Sequence, residues 1–160
     1  MRRLLLIAAC ASIVSAGVSS AAEEAAMGTK LSGSEIRPRV DYHVRQAEEL
    51  GSHFDRVILQ DCPRFVSSED WDTWIDGETD QLVSLVAHLE QAWEEAKRTG
   101  DDDVRRVAKA PRRRLGEARW LLEKLTTCAD HNNALLQPSD IIDRVQRDVP
   151  RRQVEIALPQ

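Results

Sequence analysis

The sequence predicts an all-α fold: an antiparallel three-helix bundle with a short fourth helix and an extended C-terminal tail. Three observations carry that expectation. Apolar residues recur at alternating spacings of three and four in three long stretches, which places them on helical stripes. Capping residues, prolines and glycines bound those stretches where helices start and stop. Strand-like alternation is almost absent before the final segment.

The longest periodic run, Ser67 to Lys97, organises the rest. Trp71, Ile75, Leu82, Leu85, Leu89, Ala92 and Ala96 share one stripe, with Glu78 the polar member of the series. Ser67 stands three residues before Asp70 at capping-box spacing, and Gly100 follows the last periodic residue. Asp76-Gly77 is a turn signal, yet the register continues through it, so one helix is expected. Before this run, Val40, Val44, Ala47, Gly51, Phe54 and Ile58 mark a helix that opens at Pro38 and ends at Asp61-Cys62-Pro63.

After it, Asp101, Asp102 and Asp103 place acidic groups where a helix dipole favours them. Val104, Ala108, Leu115, Ala118, Leu122, Leu125 and Ala129 continue that third helix. Pro111 predicts a kink or restart between Val107 and Pro111. Asp130 to Gln137 reads as a loop. Pro138 opens a short helix carrying Ile141, Ile142, Val145 and Val149, and Pro150 is expected to end it. In the tail, residues 150–160, the alternation of Val154, Ile156 and Leu158 suggests an extended segment.

At the N-terminus, Arg2 and Arg3 precede an apolar run from Leu4 to Val18, followed by small residues and then Glu23 and Glu24. That is the layout of a secretory signal peptide over residues 1–22, with cleavage expected after Ala21 or Ala22. The run is short for a permanent membrane span, which needs about 20 apolar residues. Ile7-Ala8-Ala9-Cys10 resembles a bacterial lipoprotein processing site, the minority alternative, because apolar residues continue past Cys10. Residues 23–37 lack periodicity and read as a flexible leader, which leaves 38–149 as the helical domain.

Loss of residues 1–22 would remove two arginines and no acids, leaving 20 basic against 27 acidic residues and a net charge of −7. Such a balance argues against coating nucleic acid or an anionic membrane, though it allows a local basic patch. Two cysteines, Cys62 and Cys128, lie beyond that segment. In an oxidising compartment they are expected to form a disulfide, because parallel first and third helices bring both to the same end of the bundle.

The motifs of common chemistry are missing. Glu49 and His53 share a helix face, but no second pair completes a metal site, and the sequence has no Cys-x-x-Cys-His, His-Glu-x-x-His, Gly-x-Ser-x-Gly or phosphate-loop motif. His43 and His88 lie off the apolar stripes as drawn above. Catalytic, cofactor and metal residues are therefore not expected.

One surface feature points to a partner. On helical geometry Arg105, Arg106, Lys109, Arg112 and Arg113 fall on one outer face of the third helix, with Trp120 on that same face. Charge attracts an anionic partner and a rigid indole offers contact area. The plainer reading is a solvated strip neutralised by Glu94, Glu95, Asp140, Asp143 and Asp148, with Trp120 covered by Ile141, Ile142 or Val145.

The function expected is that of an exported, non-enzymatic binding or adaptor protein, periplasmic or secreted. Its partner would be another envelope or secreted macromolecule with an anionic surface. A metal or haem carrier, and an effector acting through the tail, are the alternatives.

Overall fold

A computed structural model describes residues 31–111 and 115–158, without the side chains at 115–118. The described residues form five helices and no strand: α1 (Gly33–Leu59), α2 (Ser68–Lys97), α3 (Asp102–Lys109), α4 (Leu115–His131) and α5 (Pro138–Ile156). The signal-peptide expectation, most of the leader, and Arg112 and Arg113 lie outside the described residues.

α1 begins earlier than Pro38. The Ser32 hydroxyl accepts the Glu35 N–H at 3.3 Å while the Glu35 carboxylate accepts the Ser32 N–H at 2.9 Å, a complete capping box. Residues 33–37, expected in the leader, are therefore helical, and Ile36 is fully buried. Pro38 then falls within the helix, on its exposed side.

α2 runs unbroken through Gly77, with Ser67 accepting the Asp70 N–H at 3.1 Å. The expected third helix is two. Asp101 caps α3 by accepting the N–H groups of Asp103 and Val104 at 2.9 and 3.2 Å. A tight turn at Ala110 and Pro111 ends α3 within the interval expected. Pro111 has no N–H to continue the ladder.

The C-terminal region corrects two expectations. The fourth helix is long, 19 residues, and passes through Pro150, so 150–156 is helical rather than extended. Proline removes one backbone bond there, but contacts on both sides of it hold the helix on α2. Val149 is buried with Val83 and Ala87, and Ile156 packs against the same group. Beyond the proline, Arg152 donates to Asp80 at 2.7 Å and to Ser84 at 3.0 Å. Tertiary contacts outweigh the local penalty.

α2 packs against all four other helices. Arg39 meets Glu95, His43 meets His88, and His53 meets Glu78, so α1 and α2 run antiparallel. Asp76 meets Arg144 and Asp80 meets Arg152, so α5 runs in the direction of α2 beside it. One apolar cluster joins Ala47, Phe54, Leu82, Leu85, Leu89, Leu121, Leu125 and Ile141. A second joins Ile36, Val40, Ala92, Ala96, Val104 and Ala108.

Cys62 and Cys128 are bonded as expected, with sulfurs 1.98 Å apart and Cα atoms 5.3 Å apart. The bridge ties the segment after α1 to the last turns of α4. Asn132 braces it, donating to the carbonyls of Pro63 and Cys128 at 3.0 and 2.9 Å while accepting the Phe65 N–H at 3.0 Å. Phe65, Trp71 and Trp74 pack beside it with ring centroids 5.3 to 5.6 Å apart. The bond spans 66 residues. Replacing both cysteines, C62A/C128A, is expected to lower the unfolding free energy by about 4 kcal/mol, read from urea unfolding of the oxidised parent and the variant.

Candidate functional site

An open groove lies where α3 folds back on the C-terminal end of α2. It measures about 750 Å³ and is lined by Trp93, Lys97, Asp102, Arg105, Arg106, Lys109 and Ala110. Trp93 and Lys97 are four apart on α2 and share a face, as do Arg105 and Lys109 on α3. The four-residue connection from Arg98 to Asp101 brings these faces together, and the buried Val104 and Ala108 anchor α3 from behind.

Two ammonium groups approach the indole of Trp93, Lys109 at 5.0 Å from the ring centroid and Lys97 at 6.0 Å. Carboxylates lie beside three of the cations. Lys97 reaches Glu94 at 2.6 Å, Arg105 lies 3.8 Å from Asp102, and Arg106 pairs with Asp103. These are exposed pairs, worth roughly 0–1 kcal/mol each, which an incoming anion can exchange or share.

The structure therefore brings together Arg105, Arg106 and Lys109 of the expected strip, but around Trp93 rather than Trp120. Arg112 and Arg113 lie outside the described residues. The neutralising carboxylates differ from those expected: Asp102 and Asp103 are on α3 itself, and Glu95 is buried elsewhere.

Trp120 is 67 % exposed and does not line the groove. The expected cover is not there. Ile141 and Val145 pack with Leu121 and Leu125 instead, and Ile142 is largely exposed. The reason is register. α4 restarts after Pro111 and buries Leu125 and Ala129 of the expected stripe, but adds Leu121 and Cys128 to it and leaves Leu122 half-buried. α5 lies chiefly on α2, and only Ile141 and Val145 reach the cluster that holds Leu121 and Leu125.

A smaller cavity of about 170 Å³ adjoins the disulfide, lined by His53, Trp74, Glu78, Lys124, Cys62 and Cys128 among others. His53 Nε2 lies 2.8 Å from the Glu78 carboxylate. Its partner is thus Glu78 across the helix pair rather than Glu49, whose carboxylate accepts from Gln46. Lys124 is turned to the Gln60 carbonyl at 2.6 Å. The pair bridges α1 to α2; no hydroxyl or free thiol lines the cavity beside it.

Beside the second apolar cluster sits a largely buried group of ion pairs. Arg39 clasps Glu95 with two bonds of 3.0 Å, and Arg98 adds a third of 3.0 Å. Burial pushes the Glu95 carboxyl up, but the bonds and charges of Arg39 and Arg98 outweigh it and hold its pKa below the ordinary value.

Further along the helix pair, between the two apolar clusters, the Nδ1 atoms of His43 and His88 face each other at 3.0 Å, with the Tyr42 ring edge-on to both. His43 is completely buried and His88 is 7 % exposed. Both imidazoles were expected off the stripes. Val40, His43 and Ala47, and Leu85, His88 and Ala92, have spacings that fit the stripes equally well. No group of three or more His, Cys, Asp or Glu side chains among the described residues is arranged to hold a metal.

Substituting Glu95→Gln leaves Arg39 and Arg98 without that buried charge and is expected to cost about 3–5 kcal/mol of stability at neutral pH. Because the Glu95 pKa is depressed, its contribution exists above the ordinary carboxylate range and disappears as pH falls through the folded-state value. Urea unfolding of both proteins across that range should show their stabilities converging in acid. Comparison with known proteins returns no matching family model, no matching curated protein and no matching solved structure.

Proposed function

We propose that this chain is an exported, non-enzymatic binding protein that docks an acidic segment of a protein partner in the Trp93 groove. The observation that carries the reading is the combination of four cationic side chains and an indole around one open concavity, in a chain whose overall charge is −5. On an acidic molecule such a focus of positive charge gives orientation to an encounter. The indole and the flanking aliphatic stems supply contact area that charge alone does not.

The acidic balance disfavours a long polyanion such as nucleic acid, which would meet repulsion beyond the groove. A short carboxylate-bearing segment meets the four cations with only the carboxylates of Glu94, Asp102 and Asp103 beside them. The disulfide supports an oxidising compartment. No helix among the described residues is long and apolar enough to cross a membrane. The alternative of an effector acting through an extended tail loses its support, since α5 is helical to Ile156 and seated on α2.

The probe is a glutamate-rich peptide titrated against the full chain, followed by calorimetry. Binding is expected to weaken by about tenfold or more between low and physiological salt. The triple variant K97E/R106E/K109E should lose it while its melting temperature stays nearly that of the parent, because all three side chains are exposed. Equal affinity in parent and triple variant would remove the groove from consideration. Tighter binding of single-stranded DNA or a sulfated polysaccharide than of the peptide would overturn the protein-partner reading.

A further inference from the structure

We propose that the His43–His88 pair is an acid-sensitive latch that holds the C-terminal half of α5, and the segment through Leu158, against α1 and α2. The two Nδ1 atoms at 3.0 Å can form one hydrogen bond only if one donates and the other accepts. His43 Nε2 is buried with no hydrogen-bond partner among the described residues. A lone pair is less costly to strand there than an N–H, so His43 donates from Nδ1 and His88 accepts.

This pair tolerates one added proton, at His43 Nε2, with its hydrogen bond intact. A second must go to the His88 Nδ1. Two N–H groups would then point at each other, each on a cation.

The surroundings make such charging unfavourable. From α1 the pair is faced by Arg39 and the Tyr42 ring, and from α2 by Glu95, which Arg39 and Arg98 already engage. From α5 it is faced by Arg152, which is held by Asp80 and by Glu155. Burial, then the neighbouring His88, and to a lesser degree Arg39, hold the His43 pKa down to about 4 against the pull of Glu95. Burial and then Arg152 lower that of His88.

Lowered histidine pKa values mean that the unfolded or opened chain binds more protons. The closed form is therefore unpenalised above about pH 6.5 and loses stability progressively as pH falls toward the folded-state value. That window opens above the carboxylate range in which Glu95 titrates.

The part that yields is α5. Large apolar clusters hold α1 to α2 on both sides of the pair, Ile36 with Ala92 and Ala96 on one side and Phe54 with Leu82 and Leu85 on the other. The end of α5 depends instead on the small apolar group of Val149 and Ile156 with Val83 and Ala87, on Arg152, and on the Leu158 carbonyl, which accepts from Arg39 at 2.6 Å. Both arginines stand beside the imidazoles. Release of this end uncovers Val83 and Ala87 of α2.

The test is amide hydrogen exchange by mass spectrometry on the full chain, corrected for intrinsic rates, from neutral pH to about pH 5. Peptides covering 149–158 should lose protection by about tenfold or more, while peptides from the middle of α1 and α2 keep theirs. In H43N/H88N, which keeps one hydrogen bond and cannot titrate, protection of 149–158 should persist until the carboxylate range. Unchanged protection of 149–158 in the parent, simultaneous loss in every helix, or the same loss in the variant would overturn the latch. Should the variant not fold, the ring proton shifts of the parent decide. Two imidazoles that titrate at their ordinary value while α5 stays protected also overturn it.

Discussion

The fold depends on one constraint, the need to cover α2 on more than one side. A helix with a single apolar stripe can lie at a surface. α2 instead buries Leu82, Leu85, Leu89 and Ala92 on one arc and Val83 and Ala87 on another. Exposing either arc leaves contiguous apolar surface in water, at roughly 25 cal/mol per Å². α1 and α4 cover the first arc, α3 closes its far end, and α5 covers the second. This is why α5 continues through a proline that its own propensity would have made a terminus.

Into this cover the chain inserts polar groups that a purely apolar core would not need. The Arg39–Glu95–Arg98 cluster lies beside Ile36, Val40, Ala92 and Ala96, and the imidazole pair sits between that apolar group and the other. Buried ion pairs contribute little net stability compared with apolar residues of the same shape, but they penalise misalignment heavily. Sliding α1 along α2 by a turn would part the Glu95 carboxylate from the Arg39 guanidinium and mispair the two imidazoles at once. These groups thus fix the register in which the cationic faces of α2 and α3 close around Trp93. Stability comes from the apolar clusters, alignment from the polar groups.

Much of this was legible in the residue pattern, and the failures have local causes. The stripe of α2, its serine cap, the restart at Pro111 and the Cys62–Cys128 bond all follow from signals within a few residues, or from the direction in which helices must run. The start of α1 was equally available: Ser32 and Glu35 stand at capping-box spacing, outweighed by the glycine and proline around them. Pro150 misled because tertiary contacts overrode it. The two histidines fit the helical period but carry a polar side chain, so no pattern of apolar residues could place them inside. Trp93 was invisible for a different reason. Its importance comes from the fold-back of α3 onto α2, which no single stretch of sequence encodes, whereas Trp120 was set by a register that the break at Pro111 interrupted.

The cross-link divides the chain in a way that burial and charge do not reveal. Cys62 and Cys128 close a covalent ring that holds all of α2 and α3 and most of α4, while α1 and α5 lie outside it. A pull on the two ends of the protein, from a membrane anchor, a bound partner or a translocating protease, travels through α1, across the sulfur bridge and out through α5. The chain between the cysteines, which are 66 positions apart, amounts to about 230 Å of contour at roughly 3.5 Å per residue and never bears that load while the bond stands. Mechanically the molecule is a tether with an enclosed store of chain, and the residues that line the Trp93 groove all lie on the part that tension cannot stretch.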